Sequence, residues 1–202
     1  MKKLLLVVYI FWAFFTNAQN QLPIVNAALE YIDPQTNSFS SWSNFQTNGG
    51  QANYSIETEN LITGSTKAQK SEIIALGTKG WHVKTHSDYL IQVEANETYT
   101  VRFWAKANST SATLKVVFQS EVAGSYQGVD QTLTQQWQQY THSFSVADSA
   151  ELNRLSFWYM SPGITYYLDE VDVVAGQTIT LNPAMTYQTV DGFGAGIKRR
   201  TE

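Results

Sequence analysis

The chain's three histidines, His82, His86 and His142, are the first residues to test for chemistry. His82 and His86 stand four apart, but no HExxH surrounds them and neither a third ligand nor an orienting carboxylate is adjacent, so they read as isolated surface histidines rather than metal ligands. A serine nucleophile needs a sharp turn of the G-x-S-x-G kind, and none occurs. The glycines of GFGAG at 192–196 do not form GxGxxG and lack the strand and helix of a nucleotide-binding unit. The absence of cysteine excludes disulfides, thiolate metal sites and cysteine nucleophiles. Paired carboxylates for glycoside hydrolysis remain, with Glu30, Asp169, Glu170 and Asp172 best placed near the ends of the expected fold. That chemistry depends on the distance between two carboxyl groups, which sequence spacing does not supply in an all-β chain. No catalytic centre is indicated.

A second kind of chemistry needs no proton transfer. A flat aromatic ring stacks on the C–H face of a sugar while neighbouring polar groups bond the hydroxyls at its rim. The chain holds 6 tryptophans and 11 tyrosines, so the question is which of them point outward. In YTVRFWAKA, Tyr99, Val101, Phe103 and Ala105 alternate with Thr100, Arg102, Trp104 and Lys106. LKVVFQSE sets Leu114, Val116 and Phe118 against Lys115, Val117 and Gln119, and LSFWYM sets Leu155, Phe157 and Tyr159 against Ser156, Trp158 and Met160. The first set of each run supplies the apolar bulk of a core, which leaves Trp104 and Trp158 on outward faces. An outward indole either waits for a ligand or lies under a loop, and alternation leaves both open. Trp81 shares parity with Val83 and stands between core and surface for the same reason. Trp42 and Trp137 read as packing residues at strand starts.

The elements that must position these side chains are strands. Between residues 22 and 174 no stretch sustains helical spacing, while alternation recurs many times. Turn signals punctuate it at TNGGQ (47–51), ALGTKG (75–80), EANET (94–98), KANSTSA (106–112) and MSPG (160–163). Many short strands with frequent turns predict an all-β sandwich or jelly roll spanning residues 22–175.

The flanks carry different signals. Residues 1–18 combine two lysines, an apolar run over 4–15 and small residues at Thr16 and Ala18, the pattern of a secretory signal peptide cleaved after Ala18. The run is shorter than the roughly 20 residues that span a membrane, so a secreted protein, extracellular or periplasmic, with no membrane attachment after cleavage is expected. The formal net charge of −4 and the single basic cluster at Lys198, Arg199 and Arg200 argue against a nucleic-acid partner. Residues 176–202 read as a linker followed by a short, incomplete β segment.

In order along the chain stand N-x-x-L-E at 26–30, Trp42, GSTKAQK at 64–70, GWHVK at 80–84, ETYTVRFWAKA at 97–107, LTQQWQQYTHSF at 133–144 and TYYLDEVDV at 165–173. This order resembles the carbohydrate-binding modules of the family 4, 9 and 22 group, β-sandwiches attached to secreted polysaccharide hydrolases. TYQTVDGFGAG at 186–196 is similar to the start of the catalytic domain of family 30 glycoside hydrolases, a barrel of roughly 250 residues. The resemblances imply a non-catalytic module that targets a glycoside hydrolase in the same chain to a polysaccharide such as xylan or β-glucan. They nominate Trp81, Trp104, Trp158 and Tyr126 as stacking platforms, with Arg102 and Gln119 as hydroxyl partners. They also imply a structural calcium held by Glu30, the carbonyl of Lys70 and Asp169, with Leu29 and Glu170 departing from the usual phrases without removing a ligand. Two alternatives stand beside this. The acids are exposed strand-end residues, or the sandwich is structural or adhesive and has no sugar affinity.

Overall fold

The computed structural model describes residues 21–22, 24–146 and 152–176; the signal-peptide pattern and the hydrolase-like phrase lie outside them. The strands are β1 (Gln21–Leu22), β2 (Ile32–Asp33), β3 (Ser38–Phe39), β4 (Trp42–Gln46), β5 (Gln51–Glu57), β6 (Ala68–Ala75) and β7 (Val83–Ser87). They continue as β8 (Ile91–Gln92), β9 (Thr98–Ala107), β10 (Thr113–Ser120), β11 (Tyr126–Thr132), β12 (Gln138–Ser145), β13 (Leu152–Tyr159) and β14 (Ile164–Ala175), with a 3₁₀ turn at Gly80–His82. Each turn signal read from the sequence falls at a junction between two of these elements, overlapping an element's end by at most two residues.

Two sheets pack face to face. The first has the order β12-β9-β14-β6-β5, with β1 on the far end of β14; the second has the order β11-β10-β13-β7-β4, with β8 on β13. Pairing is antiparallel throughout both sheets and joins strands far apart in sequence, as in a jelly-roll sandwich. The core forms where the predicted inward sets meet. Tyr99, Val101, Phe103 and Ala105 of the first sheet face Leu114, Val116, Phe118, Leu155, Phe157 and Tyr159 of the second, all buried. Phe103 meets Phe157 edge-on at 5.2 Å, and Tyr99 stacks on Phe118 at 5.9 Å. Aromatic pairs crossing the sheets in this way contribute about 0.5–1.5 kcal/mol each beyond the area they bury.

A polar bridge crosses that core. The Tyr159 hydroxyl lies 2.8 Å from Ser71 Oγ on β6 and 2.8 Å from Thr85 Oγ1 on β7, and Thr85 donates onward to Asn44 Oδ1 at 2.7 Å. The hydroxyls satisfy one another, so the sandwich carries a polar tie where an isolated group would be costly.

A β-bulge interrupts β14. Asp169 pairs with Trp104 and Asp172 with Arg102, so three steps along β14 oppose two along β9. Glu170 takes φ 43 to make the extra step, a conformation most side chains avoid. The bulge lets Leu168, Val171 and Val173 all remain buried. Val171 N–H bonds the Ala27 carbonyl at 2.8 Å, which fastens the amino-terminal segment to the bulge.

Candidate functional site

Strand register lays out the outer face of the second sheet in rows. One row runs Asp130, Lys115, Trp158, Lys84, Phe45; the next runs Gly128, Val117, Ser156, His86, Ser43; a third holds Tyr126, Gln119 and Arg154. Directly paired residues share a face, so every one of these points away from the core. Trp158 and Lys84 are cross-strand neighbours, as are Ser156 and His86, and together they form a block two strands wide and two rows deep.

Aromatic rings bound that block. Tyr126, 55% exposed on the edge strand, leans across two strands and brings its ring to 5.1 Å from that of Trp158. Trp81 stacks against Phe45 at 6.3 Å, and Lys84 Nζ lies 5.4 Å over the Phe45 ring. Trp81 sits in the 3₁₀ turn rather than a strand, so parity with Val83 does not govern it: Val83 is buried while Trp81 is 37% exposed. The turn is held by His82, whose Nδ1 accepts the Lys79 N–H at 3.2 Å and whose Nε2 lies 3.3 Å from the Asn48 amide. His82 is therefore a buried structural residue and not the surface histidine that spacing suggests. Gly77 allows this, since a Cβ there would come within 2.3 Å of the imidazole.

The floor of the block is short of partners. Trp158 Nε1, Ser156 Oγ and His86 Nδ1 are all buried without a hydrogen bond. Ser156 is 0% and Trp158 5% exposed. Burial, followed by the charges of Lys84 and Arg154, pushes His86 down to about 4, so its imidazole is neutral at pH 7. Burial and then Arg154 likewise lower Lys84. Arg154 is held by Glu121 at 2.7 Å and by the Ser87 carbonyl at 2.9 Å.

Trp104 and Arg102 lie elsewhere. They project from the outer face of the first sheet, so the two outward indoles occupy opposite sides of the sandwich. Arg102 is bound to Asp172 through Nε at 3.0 Å and through Nη2. Trp104 borders a recess of about 330 Å³ with Leu61, Ile62, Thr63, Trp137 and Glu170, beneath the segment joining β5 to β6. Trp137 donates its indole N–H to the Asn60 carbonyl at 2.6 Å, and Lys106 Nζ lies between the rings of Trp137 and Tyr167 at 4.9 and 4.8 Å. Of the six side chains nominated for stacking and hydroxyl contact, Gln119, Tyr126 and Trp158 share the second sheet, Trp81 stands in the turn beside it against Phe45, and Arg102 and Trp104 belong to the first sheet.

Beside Trp104 the structure gathers oxygen. Asn26, at φ 56, accepts the N–H groups of Glu30 and Tyr31 on Oδ1, each at 3.0 Å, and this turn presents the Glu30 side chain. Glu30 Oε1 accepts from Ser65 Oγ at 3.0 Å and Thr66 N–H at 2.7 Å. Ser65 Oγ is also 2.7 Å from the Lys67 carbonyl and close enough to Asp169 to lower its pKa. Three acceptors thus surround a hydroxyl with one proton to give. Asp169 is 0% exposed; Oδ1 accepts the Glu170 N–H at 2.8 Å and Oδ2 has no partner. Burial, with the negative charges of Glu170 and Glu30, pushes the Asp169 carboxyl up to about 7. The acids are not freely exposed strand ends. The Lys70 carbonyl accepts the Gln69 side-chain amide at 3.0 Å, whereas the Lys67 carbonyl shares Ser65 with Glu30. No group of three or more metal-ligating side chains occurs among the described residues, so a cation here would rely on backbone and hydroxyl oxygen as well as the two carboxylates.

Sequence reasoning does not single out Ser156, Lys84, His86 and Arg154 as site residues. Ser156 and Arg154 share the parity of Trp158 on one strand, a signal present in the sequence; Lys84 and His86 join them only through a long-range pairing.

A sequence model of a family described as a carbohydrate binding domain matches residues 35–162, more than half of the chain. Comparison with curated proteins gave no match. Among solved structures, a CBM4 module superposes with TM-score 0.57 at 23% identity, over 76% of this chain and 100% of that one. The CBM22-1 xylan-binding domain of Paenibacillus barcinonensis Xyn10C superposes with TM-score 0.51 at 17% identity, over 73% and 90% of the two chains. An arabinose-bound α-L-arabinofuranosidase, MgGH51, gives TM-score 0.55 at 14% identity, over 78% of this chain and 26% of that one. At these identities the structural matches speak for the fold.

Proposed function

The chain belongs to the carbohydrate binding domain family, and from that premise we propose that the outer face of its second sheet holds a polysaccharide chain such as xylan or β-glucan. The observation that carries this is the combination of unpartnered polar atoms on the floor with aromatic rings at both sides. A pyranose presents an apolar face to the exposed rings of Trp81 and Tyr126 while its hydroxyls meet Gln119, and the unpartnered Ser156 Oγ, His86 Nδ1 and Trp158 Nε1 lie buried directly beneath. The module binds the chain and does not cleave it. Through the family 30 resemblance at 186–196 and the signal-peptide pattern at 1–18, its role is to keep a secreted glycoside hydrolase of the same chain against its substrate.

Calcium is the structural cation this reading includes. Glu30, Asp169 and the Lys67 carbonyl are hard oxygen donors of the kind calcium takes, and the unpartnered Asp169 Oδ2 and the excess of acceptors at Ser65 fit such an ion. It would supply charge compensation to the buried carboxyl and tie the amino-terminal turn to the β14 bulge. The Lys67 carbonyl is preferred to that of Lys70 because it shares Ser65 with Glu30, while the Lys70 carbonyl accepts the Gln69 amide.

Affinity electrophoresis in gels containing xylan, mixed β-glucan or galactan tests the proposal, with Trp81→Ala as the variant. Retardation by at least one polysaccharide, lost in the variant, is expected. Mobility unchanged in every gel would refute it.

A further inference from the structure

We propose that the face of the second sheet takes an anionic saccharide, a chain bearing carboxylate or sulfate-ester groups, with the anion seated on the block formed by Lys84, His86, Ser156 and Trp158. The inference rests on the assignment of this face as the saccharide site and adds the charge class of its ligand.

The block is a surplus of donors. The Trp158 indole can only donate, the Lys84 ammonium carries three protons and no lone pair, and the Ser156 hydroxyl and neutral His86 each offer one proton as well as an acceptor, so donors outnumber what these groups can accept among themselves. Three of these groups have buried polar atoms with no partner. A sugar hydroxyl brings its own proton and leaves such a floor partly unsatisfied. A carboxylate or sulfate oxygen only accepts, and charge-assisted bonds to it are roughly twice as strong as neutral ones.

The charges point the same way. On this face Arg154 is held by Glu121 and Lys115 by Asp130, each at 2.7 Å. Lys84, half-buried on the far side of Trp158 from Lys115, has no carboxylate within ion-pair distance among the described residues, and its ammonium rests over the Phe45 ring. Glu121 acts on this half-buried cation only from a distance and is already engaged by Arg154, so a bound anion would supply the direct counter-ion that Lys84 does not have. The chain's net charge of −4 repels a polyanion at long range, so the attraction is local to this block. Lys84, Lys115 and Arg154 are scattered in sequence, and only the sheet brings them to one face.

Tyr126 controls access. Its ring covers the Trp158 side of the block, and its hydroxyl makes no hydrogen bond among the described residues, so nothing polar holds it there. Rotation of this ring off Trp158 would open that side of the block to the ligand.

Titration calorimetry with glucuronoxylan, unsubstituted xylan and a sulfated galactan reads the inference directly. The wild-type chain is expected to prefer at least one acidic polymer over unsubstituted xylan by about tenfold or more in low salt, an effect the size of one charge-assisted hydrogen bond. That ratio should shrink toward one as salt shortens the screening length. It should fall to about one in Lys84→Met and persist in Lys84→Arg. Which acidic polymer is retained identifies carboxylate or sulfate as the anion. Equal affinity for neutral and acidic polymers, or a preference insensitive to salt, overturns the inference and leaves the saccharide face standing. Absence of binding to every polymer overturns both. Should Lys84→Met fail to fold, the salt dependence of the wild-type ratio decides.

Discussion

Ser156→Ala should make this protein more stable and a poorer binder. The side chain is fully buried on the outer face of β13 and its hydroxyl has no hydrogen-bond partner. Burying a hydroxyl without compensation costs about 1–3 kcal/mol in protein mutational data. Removing one oxygen leaves a void smaller than a methyl group, whose cost is less than about 1 kcal/mol. The net expectation is a stabilisation of about 1 kcal/mol, equivalent to roughly 2–4 °C in melting temperature for a domain of this size. Urea unfolding followed by tryptophan fluorescence, without ligand, measures the first effect; polysaccharide affinity measures the second, which should fall several-fold. Opposite signs are the signature of a group whose partner is the ligand, because function keeps a polar atom that folding alone would discard. A variant destabilised by about 1 kcal/mol or more would mean that the hydroxyl is satisfied in the free protein, and the donor-surplus reasoning would fail with it.

Other outcomes follow from the same geometry. Tyr159→Phe removes the bridge between Ser71 and Thr85 and should cost about 1–3 kcal/mol in urea unfolding, although Thr85 keeps Asn44. Trp104→Ala should leave polysaccharide retardation unchanged, because that indole faces away on the other sheet, whereas Trp81→Ala should abolish it. In cation-free protein the raised Asp169 pKa, about 7 against an ordinary 3.8, means the folded state holds a proton that the unfolded state has released. Stability is then greatest below about pH 4 for this group and falls as pH rises toward 7, by up to about 4 kcal/mol at roughly 1.36 kcal/mol per unit. Added calcium should reverse that fall in melting curves at about pH 8, and chelator should restore it; a melting temperature blind to both would refute the cation site.

Alternation along β9, β10 and β13 assigns the two faces of each strand, but it does not give exposure: Val117, Ser156 and Trp158 lie on the outer face and are buried all the same. The face assignment works because successive side chains in a strand alternate faces whatever the partners are. It does not reveal that β9 and β13 belong to different sheets, so it leaves Trp104 and Trp158 looking like parts of one surface. Trp81 escapes the rule altogether, since the 3₁₀ turn at Gly80–His82 has no two-residue period. The buried role of His82 is equally hidden, because its partners Lys79 and Asn48 come from a local turn and from a loop 34 residues away.

What the chain determines on its own is therefore local: strand identity, turn positions, the faces of each strand, and oxygen-bearing acids in the motifs around Glu30 and Asp169. The tertiary structure decided which of those faces lie together. Pairing of β7 with β13 puts Lys84 and His86 beside Trp158 and Ser156, and the β14 bulge buries Asp169 while Val171 and Val173 stay in the core. Strand neighbours in an antiparallel sandwich are chosen by packing between distant segments, and no periodicity within a single strand encodes that choice.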